Sequence, residues 1–156
     1  MILSDATIRS CRPSDVAEVA SLVTAILQKE LPEDESAYSR EDLQQLVETY
    51  AAPNSTFLVA ETGDHIVGTC GVKGEDARTA ILRRLFVDPE HRRRGIASAL
   101  LREALSFCRK RGFREVVIRT SGRMEAATRL CRALGFQEDG RWDLKGMDLL
   151  RLRLKL

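Results

Sequence analysis

The chain is 156 residues long, 44% apolar and 31% charged, enough for one domain with a buried core and too apolar for wholesale disorder. A formal net charge of only +2 argues against a polycation that coats nucleic acid. Four unpaired-looking cysteines and two histidines offer no zinc-type spacing, and no apolar run reaches the roughly 20 residues of a membrane span. A soluble cytoplasmic protein is expected, with no metal, no membrane and no nucleic acid among its partners.

Residues 6–12 alternate loosely up to Pro13 and predict a first strand. Ser14 stands at an N-cap position, with Asp15 and Glu18 favouring the positive end of a helix that runs to Lys29. Val16, Val19, Ala20, Val23 and Ile26 or Leu27 form its apolar face. The acidic stretch 31–36 breaks it, and Ser39 with Asp42 resembles a capping box for a second amphipathic helix carrying Leu43, Leu46, Val47 and Tyr50. After the turn Pro53-Asn54-Ser55, runs at 57–61 and 66–72 read as a hairpin across Gly63-Asp64.

A loop through Gly74, Glu75 and Asp76 leads to a strand at 80–87 that stops at Asp88-Pro89. The helix that follows starts near Gly95 and buries Ile96, Ala99, Leu100, Ala104, Phe107 and Cys108, with Arg109-Lys110-Arg111 in its last turn and Gly112 beyond. Residues 115–120 read as a buried strand, and a helix from about Met124 carries Ala127, Leu130, Cys131 and Leu134 before Gly135. Phe136 opens an extended piece that Gly140 is expected to turn, and Leu150, Leu152, Leu154 and Leu156 alternate with basic residues in a last strand. The order β-α-α-β-β-β-α-β-α-β-β predicts a mixed α/β sheet with helices on both faces, in a single domain.

Chemistry concentrates between the strand at 80–87 and the next helix. Arg92-Arg93-Arg94 meets Gly95 just where the helix begins. Unpaired N–H groups at a helix start, forked arginine donors and a glycine that admits close approach suit a phosphorylated ligand. Neither a P-loop nor a dinucleotide Gly-x-Gly-x-x-Gly pattern is present. Arg83 and Arg84 fall on opposite faces of a strand expected to be central. They either reach a substrate cleft, favouring a carboxylate-bearing acceptor, or pair with acidic neighbours at a splayed strand end.

The run Arg92-Arg93-Arg94-Gly95-Ile96-Ala97 resembles the pyrophosphate motif of the GNAT superfamily of acetyl-CoA-dependent N-acetyltransferases. Leu85-Phe86-Val87-Asp88-Pro89 before it, Ala99-Leu100-Leu101 after it, and Ala127 with Leu134-Gly135-Phe136 extend the resemblance. It implies a three-layer αβα fold around a mostly antiparallel, splayed sheet of about seven strands with four helices, as a monomer or homodimer. It implies acetyl-CoA as co-substrate, with Leu85, Phe86 and Val87 along the pantetheine arm. Arg92, Arg93, Arg94, Gly95, Ile96, Ala97 and Ser98 would cradle the pyrophosphate. An amine would attack the thioester directly in a ternary complex.

Such a site must deprotonate an amine of pKa about 10.4, stabilise the oxyanion and protonate the departing thiolate. Ile81 stands where many members of that family carry a glutamate, Met124 where an asparagine is frequent, and Cys131 where a tyrosine acid is common. Cys131 is therefore the possible general acid, or else a small buried residue of its helix. The general base is unassigned, with Glu75, Asp76 or a carboxylate in the 30–35 loop as options. The alternative function is a CoA-binding sensor or partner-binding module whose acid and base have been lost.

Overall fold

The computed structural model describes residues 6–30, 41–121, 124–144 and 146–156. Its elements are β1 (Thr7–Ser10), α1 (Val16–Glu30), α2 (Leu46–Thr49), β2 (Thr56–Thr62), β3 (His65–Gly74), β4 (Thr79–Val87), α3 (Ile96–Lys110), β5 (Glu115–Ser121), α4 (Glu125–Ala133), β6 (Gln137–Leu144) and β7 (Met147–Lys155). The strands form one sheet in the order β1-β2-β3-β4-β5-β7-β6. Every neighbouring pair is antiparallel except β4 and β5, whose connection is the helical crossover α3. The α/β architecture expected from the element order is the one observed.

Strand alternation sorts the apolar residues onto two faces. Leu58, Ala60, Cys70, Val72, Ala80, Leu82, Val116 and Ile118 pack with Leu100, Leu101 and Ala104 of α3 and Cys131 of α4. Phe57, Val59, Ile66 and Phe86 pack with Val19, Val23 and Leu27 of α1, and with Leu46 and Tyr50 around α2. α1 is also tied to β3 by the Ile66 N–H, which donates to Glu18 Oε2 at 2.9 Å.

β4 changes phase midway. Ala80 and Leu82 face the α3 core, but so do Leu85 and Val87, which lie an odd number of residues further on. The slip is a β-bulge: pairing with β3 shifts by one residue between Thr69↔Phe86 and Gly71↔Arg83. Arg84, left over in the bulge, takes the left-handed φ of +57° that only glycine adopts without strain. Thr69 Oγ1 donates to the Arg84 carbonyl at 2.7 Å and holds it there. Arg83 and Arg84 thus do not alternate along a regular strand, as their sequence suggested.

Just before the bulge, β4 parts from β5. Their pairing ends at Leu82↔Ile118, although β4 continues to Val87 and β5 to Ser121, still paired to β7. A wedge opens between the C-terminal halves of two central strands.

Local expectations fail where caps and turns decide. The first helix is entered through a 3-10 turn at Pro13–Asp15, capped by Asp15 rather than Ser14: the Arg12 N–H donates to Asp15 Oδ2 at 2.7 Å. The second helix shrinks to a 3-10 turn, Glu41–Gln44, and the four residues of α2. Val47, expected on its apolar face, is exposed. The acidic stretch 31–36, Ser39 and the Asp42 side chain lie outside the described residues. Gly140 does not turn the chain. It sits inside β6 opposite Arg151, next to a register shift, and β6 runs on to Leu144. A Cβ there would make only ordinary contact with Arg151, at 3.5 Å, so what marks this glycine is its place beside the bulge. Among the described residues, no helix is long and apolar enough to cross a membrane.

Candidate functional site

The wedge opens into a cleft of about 510 Å³. Leu85, Phe86 and Val87 of β4 form one wall, and Arg92, Arg93, Gly95, Ile96, Ala97 and Ser98 form the rim at the start of α3. These are the residues expected from the sequence, with one exception: Arg94 does not line the cleft. The opposite wall is α4, through Met124, Ala126, Ala127 and Leu130, with Glu125 and Arg129 at its edge.

The rim is shaped for an anion. Gly95 is the N-cap of α3 with φ +79°, and a Cβ built there meets nothing within 4 Å. Arg93 is also left-handed, at φ +63°. Within α3 the first N–H taken up is that of Ala99, which donates to the Gly95 carbonyl at 3.0 Å. The N–H groups of Ile96, Ala97 and Ser98 are thus left for a ligand, at the positive end of a fifteen-residue helix.

Arg92 is engaged within the fold. Its Nε donates to the Val87 carbonyl at 3.1 Å, and its two terminal nitrogens donate to Glu30 at 2.9 and 2.7 Å. The side chain therefore clamps the end of β4 and the end of α1 to the rim. Glu30 falls within the 30–35 stretch offered by the sequence as a source of the base; the structure places it at the cleft and pairs it with Arg92, 62 positions away, a link that no local pattern shows. The α4 wall beyond Ala127 was not assigned. Its signal was the apolar spacing of Ala127 and Leu130, read as core.

The other catalytic candidates among the described residues sit elsewhere. Cys131 is 1% exposed, packed in the α3-side core, and does not line the cleft. Burial pushes its thiol up to about 11. Asp76 accepts from the N–H groups of Arg78 and Thr79, both at 2.8 Å, which hold its carboxyl below the usual range and make it a turn former. It precedes β4, and with Glu75 it folds back beside Thr79 at the far end of that strand from Leu85, about 20 Å away at 3.3 Å per residue. Ile81 is half-buried on β4, Met124 caps the start of α4, and His91 joins the cleft wall beside Asp88. His65 is exposed at the hairpin, near Glu18. Among the described residues no cluster of metal-ligating side chains occurs.

A splayed strand pair, a helix start facing an arginine-bearing loop, and an elongated cleft between them can hold an extended ligand with a phosphorylated end. Comparison with known proteins agrees with that geometry. The sequence profile of the acetyltransferase (GNAT) family matches residues 22–136. Human N-acetyltransferase 8B is 39% identical over 107 residues, covering 65% of this chain and 47% of the relative. The chain spans about half the length of the curated relatives it matches. Among solved structures, an N-acetyltransferase from Staphylococcus aureus Mu50 superposes with a TM-score of 0.83 at 20% identity, covering 97% of this chain and 99% of the other. A GNAT superfamily phosphinothricin acetyltransferase from Sinorhizobium meliloti, in complex with acetyl-CoA, superposes with a TM-score of 0.81 at 22% identity, covering 98% and 89%. With the family's sequence signature spread over three quarters of its length and the wedge and anion rim built from that same region, this chain belongs to the acetyltransferase (GNAT) family.

Proposed function

We propose that the chain is an N-acetyltransferase that moves the acetyl group of acetyl-CoA to a primary amine by direct attack in a ternary complex. The observation that carries this reading is the parting of β4 from β5 at Leu82↔Ile118, directly beside the anion rim. Acetyl-CoA would supply the acetyl group as a thioester. The residues fit it: the rim offers unpaired N–H groups and a glycine with open space above its Cα, and the cleft wall offers β4 backbone unpaired on the β5 side.

On this reading the N–H groups at residues 96–98 bind the pyrophosphate, with the helix dipole adding to them. Residues 85–87 pair with the amide-bearing arm as a neighbouring strand would, and one of their N–H groups polarises the acetyl carbonyl. Arg92 binds no phosphate directly; it fixes the rim in place through Val87 and Glu30. Arg93 is the rim arginine left to meet the ligand.

Buried Cys131 is a packing residue on this reading, and proton removal falls to solvent. Turnover then rises with pH as more of the amine is neutral. The test is acetyl-CoA-dependent thiol release across polyamines, amino acids, antibiotics and peptides. Turnover of any amine supports the reading. Tight CoA binding with no turnover across the panel favours the sensor reading, which Ile81 and the burial of Cys131 already recommend.

A further inference from the structure

The wedge carries a pair of charges that no side chain among the described residues neutralises. Ala80 and Leu82 of β4, and Val116 and Ile118 of β5, belong to the α3-side core. Arg83 and Arg119 therefore stand on the opposite face, at the first rung beyond the last β4–β5 pair, one on each side of the opening. The β5–β7 register is regular and puts Arg151 directly beside Arg119.

The two arginines of β7 on this face each have a carboxylate. Arg151 Nε donates to Asp139 Oδ1 at 2.8 Å, and Arg153 pairs with both Asp139 and Glu115. Among the described residues, the side chains of Arg83 and Arg119 make no hydrogen bond or ion pair. Like charges on neighbouring strands repel, so their juxtaposition costs stability that an anion between them would restore. One rung further along the same face, Leu149 pairs with Trp142, which is 38% exposed. On this face the arginines of the wedge are thus followed, across β7 and β6, by an apolar and aromatic surface.

We propose that Arg83 and Arg119 form a carboxylate clamp for the acceptor, which is an amine bearing a carboxylate and an apolar body. The proposal rests on the acetyltransferase reading and names the substrate class of that site. One guanidinium from each splayed strand grips the carboxylate, and the apolar part lies toward Leu149 and Trp142. The amine is thereby presented at the wedge from the face opposite α3.

The test compares matched pairs, L-phenylalanine with phenethylamine and L-leucine with isoamylamine, by thiol release from acetyl-CoA. The wild type should prefer each amino acid by at least about tenfold in kcat/KM, in line with a site built to hydrogen-bond a group the analogue lacks. In Arg83→Gln and in Arg119→Gln that preference should fall toward one, while Arg119→Lys keeps part of it. Equal or better use of the decarboxylated amines by the wild type overturns the clamp, as does an unchanged preference in both glutamine variants. Calorimetry with N-acetyl-L-phenylalanine and CoA separates the clamp from the chemistry. If no amine turns over, the acetyltransferase reading fails. Carboxylate binding by the wild type that both glutamine variants lose still supports the clamp, and absence of wild-type binding overturns it.

Discussion

Arg92 and Glu30 meet as a forked pair, with guanidinium nitrogens 2.9 and 2.7 Å from the two carboxylate oxygens, across the rim of the cleft. The third donor of the same guanidinium reaches the Val87 carbonyl, so one side chain joins α1, β4 and the loop before α3. Only a planar group with several fixed donors can satisfy these acceptors at once. Arg92→Lys keeps the charge but loses the fork, and acetyl-CoA affinity should fall about tenfold, equivalent to about 1.4 kcal/mol. Arg94→Ala removes an arginine outside the cleft lining and should change affinity by less than about threefold. Calorimetry on the two variants checks the order; a larger effect at Arg94 would show that charge, not the clamp, matters.

Gly95 and Gly112 offer a matched pair. Both are left-handed, at φ +79° and +84°, and neither would bring a Cβ within 4 Å of anything. Alanine at either position should destabilise the fold by about 1–2 kcal/mol through backbone strain alone. Their functional consequences differ, because Gly95 caps α3 at the cleft whereas Gly112 follows its far end. Gly95→Ala should weaken acetyl-CoA binding at least about tenfold beyond its stability cost, since a methyl group would stand where the pyrophosphate approaches. Gly112→Ala should bind normally. Equal affinities, with equal losses of Tm, would remove Gly95 from the ligand site.

Much of this architecture was legible because periodicity and punctuation agreed. Val19, Val23 and Leu27 at helical spacing, and Leu150 and Leu152 at strand spacing, are where the structure buries them. The rim was legible because Arg92 to Gly95 combines charge, glycine and a helix start within four residues. The bulge at Arg84 was not, because a left-handed arginine has no local signature; it is imposed by pairing with β3. Gly140 misled for the converse reason. A glycine alone cannot say whether it turns the chain or sits at an irregularity inside a strand, and here it lies beside the register shift of β6. Pairings such as Arg92–Glu30 join distant positions, which only the fold brings together.

Cys131 separates packing from proton transfer. The thiol is buried among Leu130, Phe136 and the α3-side core, and desolvation holds it protonated up to about 11. Cys131→Ala should therefore lower stability by about 1–2 kcal/mol, the scale for deleting a small buried side chain. Turnover per folded molecule should stay within about twofold of wild type, a change under 0.5 kcal/mol in barrier height. A loss of a hundredfold with unchanged acetyl-CoA affinity would instead make the thiol the acid for the departing CoA.

Asp15 sets a limit to acid stability. Its carboxylate accepts from Arg9 at 2.7 and 3.0 Å and from the Arg12 N–H at 2.7 Å, with the side chain only 10% exposed. The Arg9 guanidinium, foremost, holds this carboxyl below the usual carboxylate range. A depressed native pKa means that the unfolded chain takes up the proton first. The stabilisation is complete above the unfolded value of about 3.9 and disappears as pH falls through the native one. Asp15→Asn keeps the shape and an acceptor for the Arg12 N–H but loses the charge. It should cost about 2 kcal/mol at pH 7, the scale of hydrogen bonds to a charged group, and clearly less near pH 2. Urea unfolding of both proteins at these two pH values gives the difference directly. A cost that stays constant between them would mean that Asp15 acts through shape alone, with Arg9 contributing no charge-dependent support.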